Sequence, residues 1–97
     1  MRIQQKQAGN RGMFYVEGEN GSPAAEMIYF MRKPGEMVIE HTEVGEELKG
    51  QQAGFQLVRT AVEYARQHHI RIIPLCPFAH AVFKKKPEFA DVLFQPI

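Results

Sequence analysis

The residues of this chain best suited to covalent chemistry gather around its only cysteine. Cys76 lies in Ile73-Pro74-Leu75-Cys76-Pro77-Phe78, at the end of an apolar run and just ahead of a helix-like stretch. A helix N-terminus favours a thiolate, because unpaired N–H groups and aligned peptide dipoles point at it, and the thiolate is the nucleophilic form. Two histidines could act as its base. His80 follows four residues on, at the spacing of helical neighbours, and His41 comes from a separate strand. His41 could equally take the proton from a substrate ammonium, with Glu40 and Glu43 as alternative bases. Against these stands packing, since a free cysteine behaves as a small hydrophobe. Cys76 and His80 also share the spacing of a metal pair, but zinc needs three or four ligands and no second pair is evident, so no metal is expected.

A second group could hold an anion. In His41-Thr42-Glu43-Val44-Gly45-Glu46-Glu47-Leu48-Lys49-Gly50-Gln51-Gln52-Ala53-Gly54, a strand gives way to a long helix, and two glycines surround the helix mouth. Free N–H groups there attract phosphate, and small residues let it approach the backbone. An ordinary glycine-bearing turn would look the same.

The elements that must position these residues can be read from periodicity. Four strand-like segments come first: Arg2–Gln7, Met13–Val16, Ala25–Arg32 and Glu36–Val44, with a turn at Gly9–Gly12 and a type II turn at Pro34-Gly35. The third is apolar on both faces, as a strand covered on both sides would be. In the fourth, strict alternation puts Met37, Ile39 and His41 on one face and Val38, Glu40 and Thr42 on the other. The period then lengthens to that of a helix from about Gly50 to His68, whose apolar side is Gly54, Leu57, Val58, Ala61, Val62 and Ala65. Ile70–Leu75 returns as a short strand, which a right-handed crossover places parallel to Glu36–Val44, and Pro77 opens a last helix. Phe78, Val82, Phe83 and Phe89 recur at helical spacing and read as core.

With 97 residues, the chain has room for one core and hence one domain. A net charge of +1 implies no strong electrostatic partner, so nucleic acid is not expected. The lone cysteine, the polar N-terminus and the lack of a long apolar run point to a cytoplasmic protein that crosses no membrane.

Three blocks, in this order, resemble the minimal branch of the acetyl-CoA-dependent N-acetyltransferase superfamily, the GNAT fold. They are His41–Val44, Glu47–Gly54 running on to Val62–Arg66, and Ile73–Phe78 followed by Lys86–Asp91. The resemblance implies an α+β fold of order ββββαβα, mostly antiparallel, with one splayed parallel strand pair. It also implies acetyl-CoA as acyl donor and an amine as acceptor, and an open site could suit a protein or peptide amine. The superfamily's coenzyme loop reads Arg/Gln-x-x-Gly-x-Gly/Ala; Lys49 stands at its first position, Gln52 replaces the central glycine and Gly54 fits the last. Lys49, Gly50, Gln51, Gln52, Ala53 and Gly54 would then hold the coenzyme A diphosphate. Glu43 and Val44 would run beside the pantetheine arm, Phe83 and Lys84 would add contacts from the last helix, and Cys76 and His41 would serve the transfer.

The leading reading is therefore an acetyl-CoA-dependent N-acetyltransferase. A non-catalytic acyl-CoA-binding module is the alternative, and an RNA-binding domain using Lys84–Lys86 is a weaker third. Full-length relatives shape the acceptor site with helices between the first two strands, where this chain has only Gly9–Gly12, so a second subunit could complete the site.

Overall fold

A computed structural model describes residues 1–95. Five strands form one sheet in the order β1-β2-β3-β4-β5: β1 Gln4–Ala8, β2 Arg11–Glu17, β3 Pro23–Lys33, β4 Glu36–Val44 and β5 Arg71–Pro74. The first four pair antiparallel and β5 runs parallel to β4. Helix α1, Ala53–His68, connects that parallel pair, and α2, Pro77–Lys85, follows β5. A further helical turn, Pro87–Val92, closes the described chain. The α+β fold and its ββββαβα order are as the sequence implies.

One core holds the molecule together. Phe14, Met27, Tyr29, Met37, Ile39 and Ile72 project from one sheet face into Leu57, Val58, Ala61 and Val62 of α1 and Ala79, Val82 and Phe83 of α2. These helices cover only that face. Ile28 and Phe30, on the other side of β3, are half-buried rather than roofed, so the strand is not enclosed on both sides as its apolar run suggests. Partial cover comes from cations on the aromatic rings: Lys6 over Tyr15, Arg11 over Phe30 and Arg32 over Phe94.

Two corrections concern the site directly. The β3–β4 ladder pairs Tyr29 with Ile39 but Ile28 with His41, so Glu40 is an extra, bulged residue. Residues opposite one another share a face, and one inserted residue reverses the alternation beyond it. His41 therefore leaves the face of Met37 and Ile39 and joins Ile28 on the uncovered side. Thr42, opposite Met27, turns toward the helices instead.

The long helix also starts later than Gly50. A 3-10 turn at Glu46–Leu48 comes first, and both Gly50, at φ 81°, and Gln52, at φ 58°, take left-handed backbone. Those turns use the residues that period alone would assign to the helix.

Candidate functional site

The site begins where two strands part. β4 and β5 pair from Glu36 with Arg71 to Ile39 with Pro74 and no further. At the fork the Ile39 carbonyl accepts from both Leu75 and Cys76 N–H, each at 3.1 Å. Beyond it Glu40–Val44 continues while the other chain turns into α2. A proline at β5's end and another at the first turn of α2 enforce the departure, since neither offers an N–H for the ladder.

Cys76 is the residue that ends the pairing and caps α2. It is 4% exposed, and its thiol donates to Thr42 Oγ1 at 3.4 Å. The Glu40 bulge makes this contact by turning Thr42 inward. His41 lies on the opposite face, exposed, its Nε2 at 3.2 Å from Glu43 Oε1. His80 is exposed on α2. Among the described residues neither histidine bonds the thiol, so the expected cysteine–histidine pairing does not form. Instead the fork separates a thiol and hydroxyl on the helix side from an imidazole and carboxylate on the uncovered side.

Next to the fork lies the mouth of α1. Its first backbone bond inside the helix runs from Gln56 N–H to the Gln52 carbonyl at 3.0 Å. The N–H groups of Ala53, Gly54 and Phe55 therefore have no helical acceptor, and no side chain caps them. Gln52 takes φ 58° and ψ 33°, the region in which glycine is at ease. Despite the substitution, the loop keeps the backbone path that a central glycine would allow.

A groove of about 340 Å³ opens here, lined by Lys49, Gly50, Gln52, Ala53 and Gly54 of the helix mouth and by the apolar side chains of Val44, Leu48, Phe55 and Phe78. Its surface is mostly apolar, and the uncapped amides of Ala53 and Gly54 lie among its lining residues. Its size falls at the lower end of ordinary ligand clefts, about 300–1,000 Å³. A larger cavity of about 420 Å³, between Lys6, Arg11, Met13 and Ile28 on the uncovered face, has no such amides.

Of the residues expected at the coenzyme, Val44, Lys49, Gly50, Gln52, Ala53 and Gly54 thus line one groove. Lys49 Nζ bonds Glu46 Oε1 at 3.2 Å. Glu43 lies on the other face with His41, the Gln51 side chain turns to the Glu47 carbonyl, and Lys84 is exposed. Phe83 is corrected to the core: it is 7% exposed and packs edge-on to Phe89, as its helical spacing indicates. Leu48, Phe55 and Phe78 were not foreseen in the groove; only two exposed apolar side chains flanking Cys76, Leu75 at 66% and Phe78 at 43%, hint at an apolar surface there.

A model of the GCN5-related N-acetyl-transferase family matches residues 13–92. The chain belongs to that family. Among solved structures, this acetyltransferase is similar to a GCN5-like candidate N-acetyltransferase of Staphylococcus aureus, with 33% identity and a TM-score of 0.74 over 97% of this chain and 90% of the other. Its fold also matches glucosamine-6-phosphate N-acetyltransferase of Arabidopsis thaliana, at 20% identity and TM-score 0.61, over 91% and 63% of the two chains. A third match, at 14% identity and TM-score 0.56, is a candidate streptothricin acetyltransferase of Bacillus anthracis in complex with acetyl coenzyme A, over 81% and 47%. No curated protein sequence matches the chain. Family membership supports acyl-CoA-dependent N-acetyl transfer as the general activity of this acetyltransferase. Among its described residues, no helix is long and apolar enough to cross a membrane, and no three His, Cys, Asp or Glu side chains are grouped to hold a metal.

Proposed function

We propose that the chain transfers an acetyl group from acetyl-CoA to a primary amine, with donor and acceptor meeting at the β4–β5 fork from opposite faces of the sheet. The observation that carries this reading is the juxtaposition of the fork at Ile39 with the uncapped mouth of α1. The groove beside that mouth suits a diphosphate at Lys49–Gly54 and a thin arm along Val44, Leu48 and Phe55. Such an arm ends at Cys76 and Thr42.

His41, oriented by Glu43, is the base on the acceptor side. It takes the ammonium proton and releases it to solvent, the freed nitrogen forms a bond to the acyl carbon, the carbon–sulfur bond breaks with its electron pair leaving on coenzyme sulfur, and the second nitrogen proton, lost as the amide forms, ends on that sulfur. Cys76 lies on the donor side with its hydrogen committed to Thr42 and its sulfur buried. That placement favours direct transfer to the amine, with the Cys76–Thr42 pair closing the donor end. Family-level acceptors are amines, and the exposed His41–Glu43 pair suits an amine borne on a large molecule such as a peptide.

Thermal melting with coenzyme A tests binding, since a ligand for the native state must raise the midpoint. No shift at millimolar ligand would refute the donor groove. Acetyl transfer across an amine panel then tests the roles. His41→Ala should lower kcat by about 10²–10⁴-fold, while Cys76→Ala and Cys76→Ser should lower it about tenfold or less. A loss of several thousandfold in both cysteine variants, with melting intact, would make Cys76 an acyl-carrying nucleophile instead.

A further inference from the structure

Gly54 fits the last small position of the coenzyme loop, where a bare backbone would be expected to admit phosphate. The space beside it is already taken. A β-carbon built on Gly54 would come within 2.6 Å of Phe78 Cζ and 2.8 Å of Cε2, so the ring would have to shift to make room for it. Gly50 differs: a β-carbon there would meet nothing within 4 Å, and its glycine serves the left-handed turn at φ 81°. Of the two glycines, then, one gives the chain its turn and the other gives an aromatic ring its seat.

We propose that Phe78 is a donor-binding residue of this acetyltransferase, its ring held against the bare backbone of Gly54 as the apolar wall for the aliphatic arm of an acyl-CoA. The inference rests on the donor groove proposed above. Phe78 is the second residue of α2, two beyond Cys76, and Gly54 is the second of α1. Their contact therefore joins the mouths of the two helices that flank the fork and sets the width between them. Phe78 stays 43% exposed although the α2 residues Ala79, Val82 and Phe83 beside it are buried. Its ring forms the groove wall together with Phe55, Leu48 and Val44. A large ring left open to water in a mostly apolar groove that includes uncapped helix amides is suited to an occupant with an anionic head and an apolar arm. Under this assignment a phosphate reaches the amides from the Gly50–Gln52 side, and a side chain at position 54 harms binding by dislodging the ring rather than by touching the ligand.

The test is a double-mutant cycle of wild type, Gly54→Ala, Phe78→Ala and the doubly substituted protein, read by melting without ligand and by calorimetric titration with coenzyme A. Gly54→Ala should raise the melting midpoint less when Phe78 is present than when it is alanine, because only the ring opposes the gain from alanine in the helix. Phe78→Ala should weaken coenzyme A binding about tenfold, and Phe78→Leu, which keeps an apolar wall, should stay within about threefold of wild type. Gly54→Ala should weaken binding in wild type but add nothing in the Phe78→Ala background. Equal, additive loss of affinity in both backgrounds would return the bare backbone to the phosphate and overturn the assignment. Absence of coenzyme A binding by wild type would overturn the donor groove itself, while the ligand-free melts would still decide whether the ring needs the glycine.

Discussion

Gln52→Gly puts a number on the backbone conformation at the mouth of α1. Gln52 sits at φ 58° and ψ 33°, and its side chain is exposed without a hydrogen bond among the described residues. A residue with a β-carbon pays about 1–2 kcal/mol for left-handed backbone, and glycine gives back about 0.5–1 kcal/mol through its looser unfolded chain. The difference favours glycine by roughly 0.5–1 kcal/mol, a rise in melting midpoint of about 2–8 °C for a domain of this size. Gln52→Ala keeps the β-carbon and should give no rise, which separates relief of backbone strain from loss of the glutamine side chain. Because the loop already follows a glycine-like path, coenzyme A affinity in Gln52→Gly should remain within about threefold of wild type. Differential scanning calorimetry and titration of the three proteins check both points. A Gln52→Gly midpoint at or below that of Gln52→Ala would refute the argument that the backbone, rather than the side chain, governs this position.

Tyr29→Phe removes a buried hydroxyl that accepts from Gln5 Nε2 and donates to Gln7 Oε1, both at 2.8 Å, so it should cost about 1 kcal/mol and speed amide exchange in β1 more than in β3. Burial also holds the Tyr29 phenol above the usual tyrosine range, so absorbance titration should find one late-ionising tyrosine that Tyr29→Phe abolishes. Asp91 is held below the usual carboxylate range by two hydrogen bonds from Arg66, which also donates to the Glu88 carbonyl. A lowered folded pKa stabilises above the unfolded value and is lost as pH falls through the folded one, so Asp91→Asn should flatten the stability curve below about pH 4 and leave its shape near neutrality unchanged. Deleting Glu40 should remove the bulge yet leave His41 opposite Ile28 and Thr42 opposite Met27, so NMR of a folded deletion variant should still show both cross-strand contacts; exchange of the two side chains between faces would contradict the assigned register.

The fold was legible because its signals are local or periodic. Pro34-Gly35 marks one hairpin, the apolar stripe from Gly54 to Ala65 marks α1, and the crossover rule makes β5 parallel to β4. Lys49 to Gly54 could be placed at a helix mouth for the same reason. What escaped depends on partners distant in the chain. No residue type announces the extra residue at Glu40, which exists only relative to β3, and the contact of Gly54 with Phe78 spans 24 positions of sequence and two helices. The start of α1 at Ala53 rather than Gly50 depends on left-handed backbone at Gly50 and Gln52, which continues the preceding turn and leaves no mark in the side-chain period.

That bulge ties the topology to the chemistry. Had β4 alternated without interruption, His41 would project beside Ile39 into the core, where an imidazole has no partner and a bulky or charged acceptor could not reach it. Thr42 would point away from Cys76. Bulging at Glu40 reverses both: the hydroxyl meets the thiol at 3.4 Å inside, and the imidazole meets Glu43 at 3.2 Å outside. The same residue is anchored on the uncovered face by Arg11, whose guanidinium donates to Glu40 Oε1 at 2.6 Å. Bulges bend the strand that carries them and weaken its pairing, and this one falls next to Ile39, the last residue of β4 that pairs with β5. A single insertion thus accompanies the opening of the fork and sorts the reactive side chains onto its two sides, which a sheet roofed on one face alone leaves accessible from both.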